Sequence, residues 1–220
     1  MPLPKQLKKD ILIILSIGIT LTIVSILLNL DMAIAKALYI ANAPVSTLAD
    51  DIAGVLYVAG FIAIIPLIFT RIRKKYPQMT KSIIVIFLAL LITVNGVVEA
   101  GLKKYTDRPR PKEIKELGGQ DDYRNVFAFG MVGDVQSKSF PSSSAAIGFL
   151  LTSPFFTFRR KNKAIAYGFL TIGLLAGTLL GLGRMIGGMH FFTDVLWSGV
   201  LVFATLSILY SIDTKWKTSG

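Results

Sequence analysis

The 220-residue chain has no cysteine and a single histidine, His190. The absence of cysteine excludes disulfides and thiolate metal sites, and one histidine excludes a histidine-rich metal cluster. Charged residues are also scarce, at 17% against 53% hydrophobic residues, and the mean hydropathy is +0.62. So few charges cannot coat a water-soluble domain of this size, and a disordered tail would need far more polar residues. The composition therefore predicts a polytopic membrane protein.

Six apolar stretches are long enough to cross a ~30 Å hydrocarbon core as helices of about 20 residues. The fourth stretch is the shortest. The sequence therefore predicts an all-α bundle of six transmembrane helices that forms one membrane-embedded domain over residues 1–220. The predicted spans are Ile11–Leu30, Ile52–Thr70, Ser82–Gly101, Ser142–Phe158, Ala164–Leu182 and Asp194–Ile212.

The distribution of lysine and arginine predicts the orientation of the bundle. Fourteen of the 24 basic residues fall at the two termini and in the second and fourth connections. Basic loops tend to stay in the cytoplasm, so both termini are predicted to be cytoplasmic. Basic runs beside a membrane usually face anionic headgroups, so the net charge of +11 predicts contact with the bilayer and not with nucleic acid. Nine further basic residues lie in two outside loops, break this pattern and need another explanation.

Two stretches have mainly structural interpretations. The first outside loop, Asp31–Asp50, carries apolar residues near helical spacing, which fits either a helix in the membrane interface or a packed connector. The fifth span carries Gly173, Gly177 and Gly181 at intervals of four. Small residues at this spacing let helices approach closely, so a packing role is favoured over a ligand role.

A cationic segment follows the third span and contains Lys103, Lys104, Arg108 and Arg110. Guanidinium forks and ammonium groups suit phosphate oxygens, and the neighbouring prolines would stiffen the segment. The segment therefore indicates an anion site, with a solvated basic loop as the alternative. Glu99 lies four residues before Lys103, so it either pairs with that ammonium or simply ends the span.

A serine-rich segment, Pro141-Ser142-Ser143-Ser144, opens the fourth span. A proline followed by small residues predicts a helix N-terminus, where free backbone N–H groups and the positive end of the helix dipole can bind phosphate. Taken alone, the segment fits ordinary serine capping better.

A third cluster enters the sixth span and contains Arg184, His190 and Asp194. His190 and Asp194 are four residues apart and can share a helical face. A carboxylate can hold one imidazole nitrogen and leave the other free to attack an anion bound by Arg184. An interfacial histidine with satisfied hydrogen bonds is the alternative, but the arginine and the aspartate favour a catalytic role.

These motifs, taken in order, resemble the three motifs of the type 2 phosphatidic acid phosphatase (PAP2) superfamily. The matching patterns are Lys103-x6-Arg110-Pro111, then Pro141 to Ser144, then Arg184-x5-His190-x3-Asp194. The family comprises membrane lipid phosphate phosphatases, with the vanadium haloperoxidases as soluble relatives, and the resemblance covers roughly residues 80–212. It implies a six-helix membrane fold with the site on the outside.

The resemblance also implies a role for each motif residue. His190 would be the nucleophile that forms a phosphohistidine, and Asp194 would orient it. No metal or other cofactor is required in this family, because fixed cations stabilise the transferring group. The phosphate-binding residues would be Lys103, Arg110 and Arg184, with the backbone N–H groups near Ser142 and Ser143.

This chain departs from the family pattern at three positions. Ser144 stands where the second motif usually has a histidine, the acid that protonates the leaving oxygen, and a hydroxyl cannot do this near neutral pH. An engineered inactivation, a natural degenerate member, or an acid supplied by water or substrate would each explain it. The otherwise intact site favours the first explanation. Ser143 replaces a common glycine and Gly183 a common serine, and both of these changes are mild.

We therefore expect a lipid phosphate phosphatase in the bacterial inner membrane with its site facing the periplasm. The stretch from Arg108 to Phe140 looks most like the lipid A 1-phosphatases. A phosphatidylglycerol-phosphate or undecaprenyl-diphosphate phosphatase would show the same motifs. A non-catalytic lipid-phosphate binder is a second class, supported only by Ser144. A small transporter is disfavoured, because the charged residues lie at the ends of the predicted spans and no ion pair is evident at the membrane midplane. The clearest polar residue inside a span is Asn95. The sequence implies the lipid substrate and the bilayer as partners, and no protein partner.

Overall fold

The computed structural model describes residues 5–126 and 138–216, with side chains described up to Ile212. Within these residues the fold is an all-α bundle, as predicted. One isolated bridge, between Ile114 and Asp121, is its only β-type pairing. The α-helices are α1 Lys5–Leu27, α2 Leu30–Leu38, α3 Pro44–Ile62, α4 Thr70–Lys75, α5 Pro77–Ala89, α6 Lys103–Tyr105, α7 Ser143–Phe149, α8 Ser153–Phe158, α9 Lys163–Ile186 and α10 Phe192–Trp216.

Other helical geometries connect several of these elements. A π-helical stretch, Leu90–Leu102, joins α5 to α6, so that one continuous rod ends at the cationic segment. Short 3₁₀ turns cover Ile65–Ile68, Pro111–Glu113, Lys115–Leu117 and Leu150–Thr152. The last of these links α7 to α8.

Five helices among the described residues are long and apolar enough to cross a membrane, and a sixth, shorter apolar helix runs over Ser143–Phe158. The chain is therefore a multi-pass membrane protein. The shorter helix corresponds to the fourth predicted span, which was also the shortest in the sequence. The five long helices are Lys5–Leu27, Pro44–Ile68, Pro77–Tyr105, Lys163–Ile186 and Phe192–Ile212.

The predicted boundaries of the first two spans were wrong. The first helix ends at Leu27, because Asn29 adopts a left-handed conformation (φ 49°) that breaks it before α2 begins at Leu30. The second span begins at Pro44, eight residues before the predicted start at Ile52. Proline at a first helical position is favourable because its fixed φ suits the helix and its missing N–H would have no partner there.

The first outside loop contains a short helix, α2, that packs against the bundle. In α2, Ala35 and Asp31 are buried, and Ile34 and Leu38 pack against the main apolar core. That core is formed chiefly by α5, α7 and α10, with Ala89, Leu206 and others fully buried. The helix α2 thereby places an aspartate inside the bundle.

The glycine face of α9 is a packing face, as predicted. A Cβ atom added at Gly173 would collide with Thr152, one at Gly177 with the Phe149 ring, and one at Gly181 with Val195. The helix α9 therefore lies directly against α7, the following 3₁₀ turn and α10. This close approach fixes where the end of α9 lies relative to the start of α7.

Contacts near the start of α9 bring two of the basic segments together. Arg159 donates a hydrogen bond to Asp10 of α1 at 2.7 Å, so the N-terminal helix and the fourth connection share one end of the bundle. Inside the bundle, Asn95 accepts a hydrogen bond from Tyr57 at 3.0 Å. The polar residue noted within the third span therefore has a structural partner.

Candidate active site

The three predicted motif segments meet at one end of the bundle. The end of α9 supplies Arg184, the following turn supplies His190, and the start of α10 supplies Asp194. Ser142 N of the second motif donates to the backbone carbonyl of Asp194 at 3.3 Å, and Ser198 Oγ of α10 donates to the carbonyl of Ser142 at 2.7 Å. These bonds dock the start of α7 onto the start of α10.

His190 is held through its Nδ1 atom. This nitrogen lies 2.6 Å from the backbone carbonyl oxygen of Ser139, and the side chain is buried. Because a carbonyl oxygen can only accept, Nδ1 carries the proton and Nε2 keeps its lone pair. The imidazole is thus in the tautomer that a nucleophile attacking through Nε2 requires.

Asp194 does not form the direct hydrogen bond to His190 that the spacing suggested. Its Oδ2 lies 3.9 Å from Nδ1 of His190, and instead accepts hydrogen bonds from Ser139 Oγ at 2.6 Å and from Phe191 N at 2.7 Å. Ser139 therefore stands between the two residues, with its hydroxyl on Asp194 and its carbonyl on His190. Sequence spacing placed His190 and Asp194 near each other but could not show Ser139 between them.

The charges around His190 favour its neutral form. Burial lowers the pKa of His190 well below its usual range, and the nearby cations Lys103, Arg184 and Arg110 lower it further, opposed only by the bond to Ser139. A protonated imidazole would be repelled by these same cations. The site is thus a neutral imidazole within a cluster of positive charge.

Lys103 is positioned by two neighbours. Its Nζ donates to Oε1 of Glu99 at 2.6 Å and to Oγ of Ser143 at 3.0 Å. The expected pair with Glu99, four residues earlier, is therefore formed. The bond to Ser143 joins the first motif to the second.

The two site arginines each keep a donor without a protein partner. Among the residues that the structure describes, the buried Nε atoms of Arg110 and Arg184 form no hydrogen bond. Another nitrogen of Arg184, Nη1, donates to the carbonyl of Ser46 at 3.1 Å and lies 3.5 Å from Oδ1 of Asp50. Buried donors of this kind are available to the oxygens of a phosphate group.

The three serines of the second motif have different surroundings. Ser142 caps α7, because its Oγ accepts a hydrogen bond from the N–H of Ala145 at 3.4 Å. Ser143 faces Lys103, as described above. Ser144, at the place of the family's acid histidine, donates to Oδ1 of Asp50 at 3.0 Å.

A second ion cluster lies beside the site and was missed by the sequence analysis. Arg108, counted there among the cations of an anion site, is 1% exposed and pairs with Asp31 at 2.7 Å and with Asp194. Thr193 of α10 also donates to Asp31, through both its N–H and its hydroxyl. Burial opposes the charge of Arg108, but Asp194 and Asp31 outweigh it and raise its pKa. Arg108 therefore supports the structure around Asp194 and does not face the anion site.

The chemistry of the site suits the transfer of a phosphoryl group. The described residues contain no group of histidine, cysteine, aspartate and glutamate side chains that could hold a metal ion. Fixed cations can stabilise phosphoryl oxygens, and a neutral imidazole can attack phosphorus.

Comparison with known proteins agrees with this chemistry. The PAP2 superfamily matches residues 82–217. A lipid A 4′-phosphatase of Francisella tularensis subsp. novicida (strain U112) is 30% identical over 166 residues, which cover 71% of this chain and 71% of that protein. No solved structure matches.

The resemblance read from the motifs is thus confirmed at the level of the family, while the similar protein does not support the 1-phosphatase branch. The sequence argument for that branch rested partly on residues 127–137, which lie outside the described residues. The matched region contains all three motifs and the helices that carry them, and the chain belongs to the PAP2 superfamily.

Proposed function

We propose that this protein is a membrane phosphatase that removes a phosphate group from a lipid headgroup through a phosphohistidine at His190. The observation that carries the proposal is the state of that side chain. Its Nδ1 is held by Ser139, its Nε2 keeps a lone pair, and three cations surround it. We propose that the whole chain, residues 1–220, acts as one domain in this function.

The proposed reaction has two steps. In the first, Nε2 of His190 forms a bond to phosphorus while the bond from phosphorus to the lipid oxygen breaks, and a proton goes to that oxygen. In the second, water attacks phosphorus, the phosphorus–nitrogen bond breaks, and inorganic phosphate leaves. Lys103, Arg110 and Arg184, with the first backbone N–H group of α7 at Ser143, would hold the phosphoryl oxygens. The N–H of Ser142, which the sequence also suggested, instead donates to the carbonyl of Asp194.

Asp194 acts in this proposal as a positioning residue. Its carboxylate holds the Ser139 hydroxyl, and the Ser139 carbonyl in turn accepts the Nδ1 proton of His190. The imidazolium-like charge that develops at His190 during attack would be stabilised through this series of hydrogen bonds.

The substrate class that we propose is the phosphorylated lipid A type. The similar Francisella protein is named a lipid A 4′-phosphatase, and this supports the 4′-phosphate. The 1-phosphate, which the motif stretch suggested, is the alternative. We further propose that the protein lies in the bacterial inner membrane with the site toward the periplasm, since the basic segments at the opposite end of the bundle fit the cytoplasm.

Ser144 limits the rate in this proposal. Its hydroxyl donates a hydrogen bond to Asp50 and has too high a pKa to protonate a leaving oxygen near neutral pH. Loss of a general acid typically costs about 10²–10⁴ in rate, so we propose that the chain binds its substrate but turns over slowly. Whether Ser144 arose by engineering or in nature does not change this expectation.

The test is phosphate release by the purified protein in lipid vesicles. The panel of substrates is lipid A, phosphatidylglycerol phosphate and undecaprenyl diphosphate, and mass spectrometry of the lipid A product distinguishes loss of the 4′-phosphate from loss of the 1-phosphate. We expect Ser144→His to raise the rate on the best substrate by about 10²-fold or more. His190→Ala in that background should abolish it.

Two results would contradict the proposal. Unchanged phosphate release after His190→Ala would contradict the phosphohistidine step. If neither the parent nor the Ser144→His variant released phosphate from any lipid, the phosphatase function would be contradicted. Tight binding of the lipids without release would then favour a lipid-phosphate binder.

A further inference from the structure

A carboxylate from outside the three motifs lies beside Ser144, the residue at the place of the family's acid histidine. Oδ1 of Asp50, on α3, accepts a hydrogen bond from Ser144 Oγ at 3.0 Å and lies 3.5 Å from Nη1 of Arg184. Its side chain is 57% exposed, so it can contact a substrate. Asp50 thus touches the residue that replaces the acid histidine and one of the cations proposed to hold phosphate.

Asp50 lies beside Ser144 and Arg184 because α3 approaches the end of α9 closely. This close approach of the two helices depends on glycines. A Cβ atom added at Gly183 would lie 2.7 Å from Cβ of Ala49 and 3.1 Å from the carbonyl of Val45. One added at Gly187 would collide with Ser46. Gly183 stands where the family often has serine, and a serine here would push α3 away. The two departures from the family pattern, Gly183 and Ser144, are therefore linked in space through Asp50.

We propose that Asp50 is the general acid and base of this site, taking the part that the second-motif histidine has in other members of the family. The inference rests on the proposed function. The slow turnover proposed above for a chain with serine at position 144 would then run through Asp50.

The proton transfers balance over the two steps. In the first, the protonated carboxyl of Asp50 gives its proton to the lipid oxygen as the bond from that oxygen to phosphorus breaks, which leaves a carboxylate. In the second, that carboxylate takes a proton from the attacking water as the phosphorus–nitrogen bond breaks. Asp50 is then protonated again, and His190 is free.

A bound phosphate would change the charge around Asp50. Arg184 faces Asp50 from α9, Ser144 faces it from α7, and Asp51 follows it on α3. The guanidinium of Arg184 places a positive charge 3.5 Å from the Asp50 carboxylate. A phosphate dianion held by Arg184 would offset that positive charge and bring negative charge close to Asp50. The negative charge of the substrate would thus lie beside Asp50 in the step in which the leaving oxygen needs a proton.

A purely structural role for Asp50 would be to neutralise Arg184, and the two roles differ in their dependence on the leaving group. A general acid matters for an alkoxide leaving group, which is a strong base, and matters little for a nitrophenolate, which leaves without a proton. Loss of an arginine-positioning carboxylate would slow the hydrolysis of both substrates alike.

The experiment compares Asp50→Asn with the parent in vesicles, on p-nitrophenyl phosphate and on lipid A or phosphatidylglycerol phosphate, whichever the parent hydrolyses faster, because both of these lipids leave as alkoxides. We expect kcat/KM, which reports the phosphorylation of His190 and not the later attack of water, to fall about 10²-fold or more on the lipid and less than tenfold on p-nitrophenyl phosphate. The matched control is Asp51→Asn, an exposed aspartate on the same helix, which should leave both rates unchanged. Thermal unfolding of each variant verifies folding.

The same substitution in the Ser144→His background separates this inference from the proposed function. We expect the cost of Asp50→Asn on the lipid to shrink at least tenfold there, because a histidine at position 144 can supply the proton. Equal losses of kcat/KM on the two substrates, or an unchanged kcat/KM on the lipid in the parent background, would overturn the role of Asp50 alone. No release by the Ser144→His variant would overturn the proposed function and this inference together.

Discussion

At the scale of single residues, the buried ion cluster around Arg108 contributes to stability and not to substrate binding. Arg108 pairs with Asp31 from α2 and Asp194 from α10, and its guanidinium carbon lies 4.4 Å from the centre of the Phe191 ring. Buried charges are tolerated only when they are paired and hydrogen-bonded. Every group in this cluster therefore depends on the others, and the cluster fixes Asp194 beside Ser139.

Replacing Arg108 by methionine should strongly destabilise the protein. The change would leave Asp31 and Asp194 as two buried carboxylates without their shared cation. Breaking a buried pair in this way typically costs about 3–5 kcal/mol. Reversible unfolding in mixed detergent micelles would measure the free energy of unfolding.

The control for Arg108→Met is Lys115→Met. Lys115 pairs with Asp122 at 2.7 Å, but both side chains are exposed. Exposed pairs of this kind often contribute nothing measurable, so we expect no change in the free energy of unfolding. If Arg108→Met were as stable as Lys115→Met, the structural role assigned to Arg108 would be wrong.

The titration of His190 gives a second prediction at the residue scale. Burial and the cations Lys103, Arg184 and Arg110 hold its pKa well below the ordinary value of about 6.5. The imidazole is therefore neutral at pH 6.5, and the acid limb of kcat/KM should lie below that pH. Lys103→Met removes a repelling cation, so it should raise the pKa and move the acid limb to higher pH.

Nuclear magnetic resonance of ¹⁵N-histidine-labelled protein would follow this titration directly, because His190 is the sole histidine. Lys104→Met, which removes an exposed cation next to Lys103, is the control and should leave the titration unchanged. A His190 that titrates above pH 6.5 in the parent would contradict the assigned environment.

At the scale of helices, the sequence predicted the apolar spans well because hydropathy alone determines which segments can enter a bilayer. Its errors lie at the boundaries, where local backbone geometry decides. The turn at Asn29 ends α1 within an apolar run, and α3 begins at Pro44 inside a segment that reads as a polar loop. The glycine face of α9 was recognised because its spacing of four is a local pattern.

The candidate site shows the same division between local and distant information. His190, Arg184 and Lys103 were predicted as site residues because they stand in short motifs. Their supporting residues were not found, because each lies far away in the sequence: Ser139 is 51 residues from His190, Asp31 is 77 from Arg108 and Asp50 is 94 from Ser144. Only the packing of α2, α3 and α10 brings these groups together.

At the scale of the whole molecule, the positive charge is divided between two ends of the bundle. The helix α9 has 24 residues, so it rises about 36 Å, enough to cross a hydrocarbon core. It begins beside the basic segment at Arg159 and Arg160 and ends at Arg184 in the candidate site. The basic segment at Arg159 and Arg160 and the cations of the candidate site therefore lie at opposite ends of α9.

This separation leads to a prediction about topology that the absence of cysteine makes easy to test. Single cysteines are introduced as Lys161→Cys, at the basic end, and Gln120→Cys, at the end that holds the site; both positions are exposed. In intact cells with a permeabilised outer membrane, an impermeant thiol reagent should label position 120 and not position 161, because basic loops stay in the cytoplasm. Lysed cells provide the control, since both cysteines should then react.

Labelling at 161 but not at 120 would mean that the bundle has the opposite orientation and that the proposed phosphatase site lies at the cytoplasmic face. The stability and titration predictions would be unaffected, because they depend only on contacts within the chain.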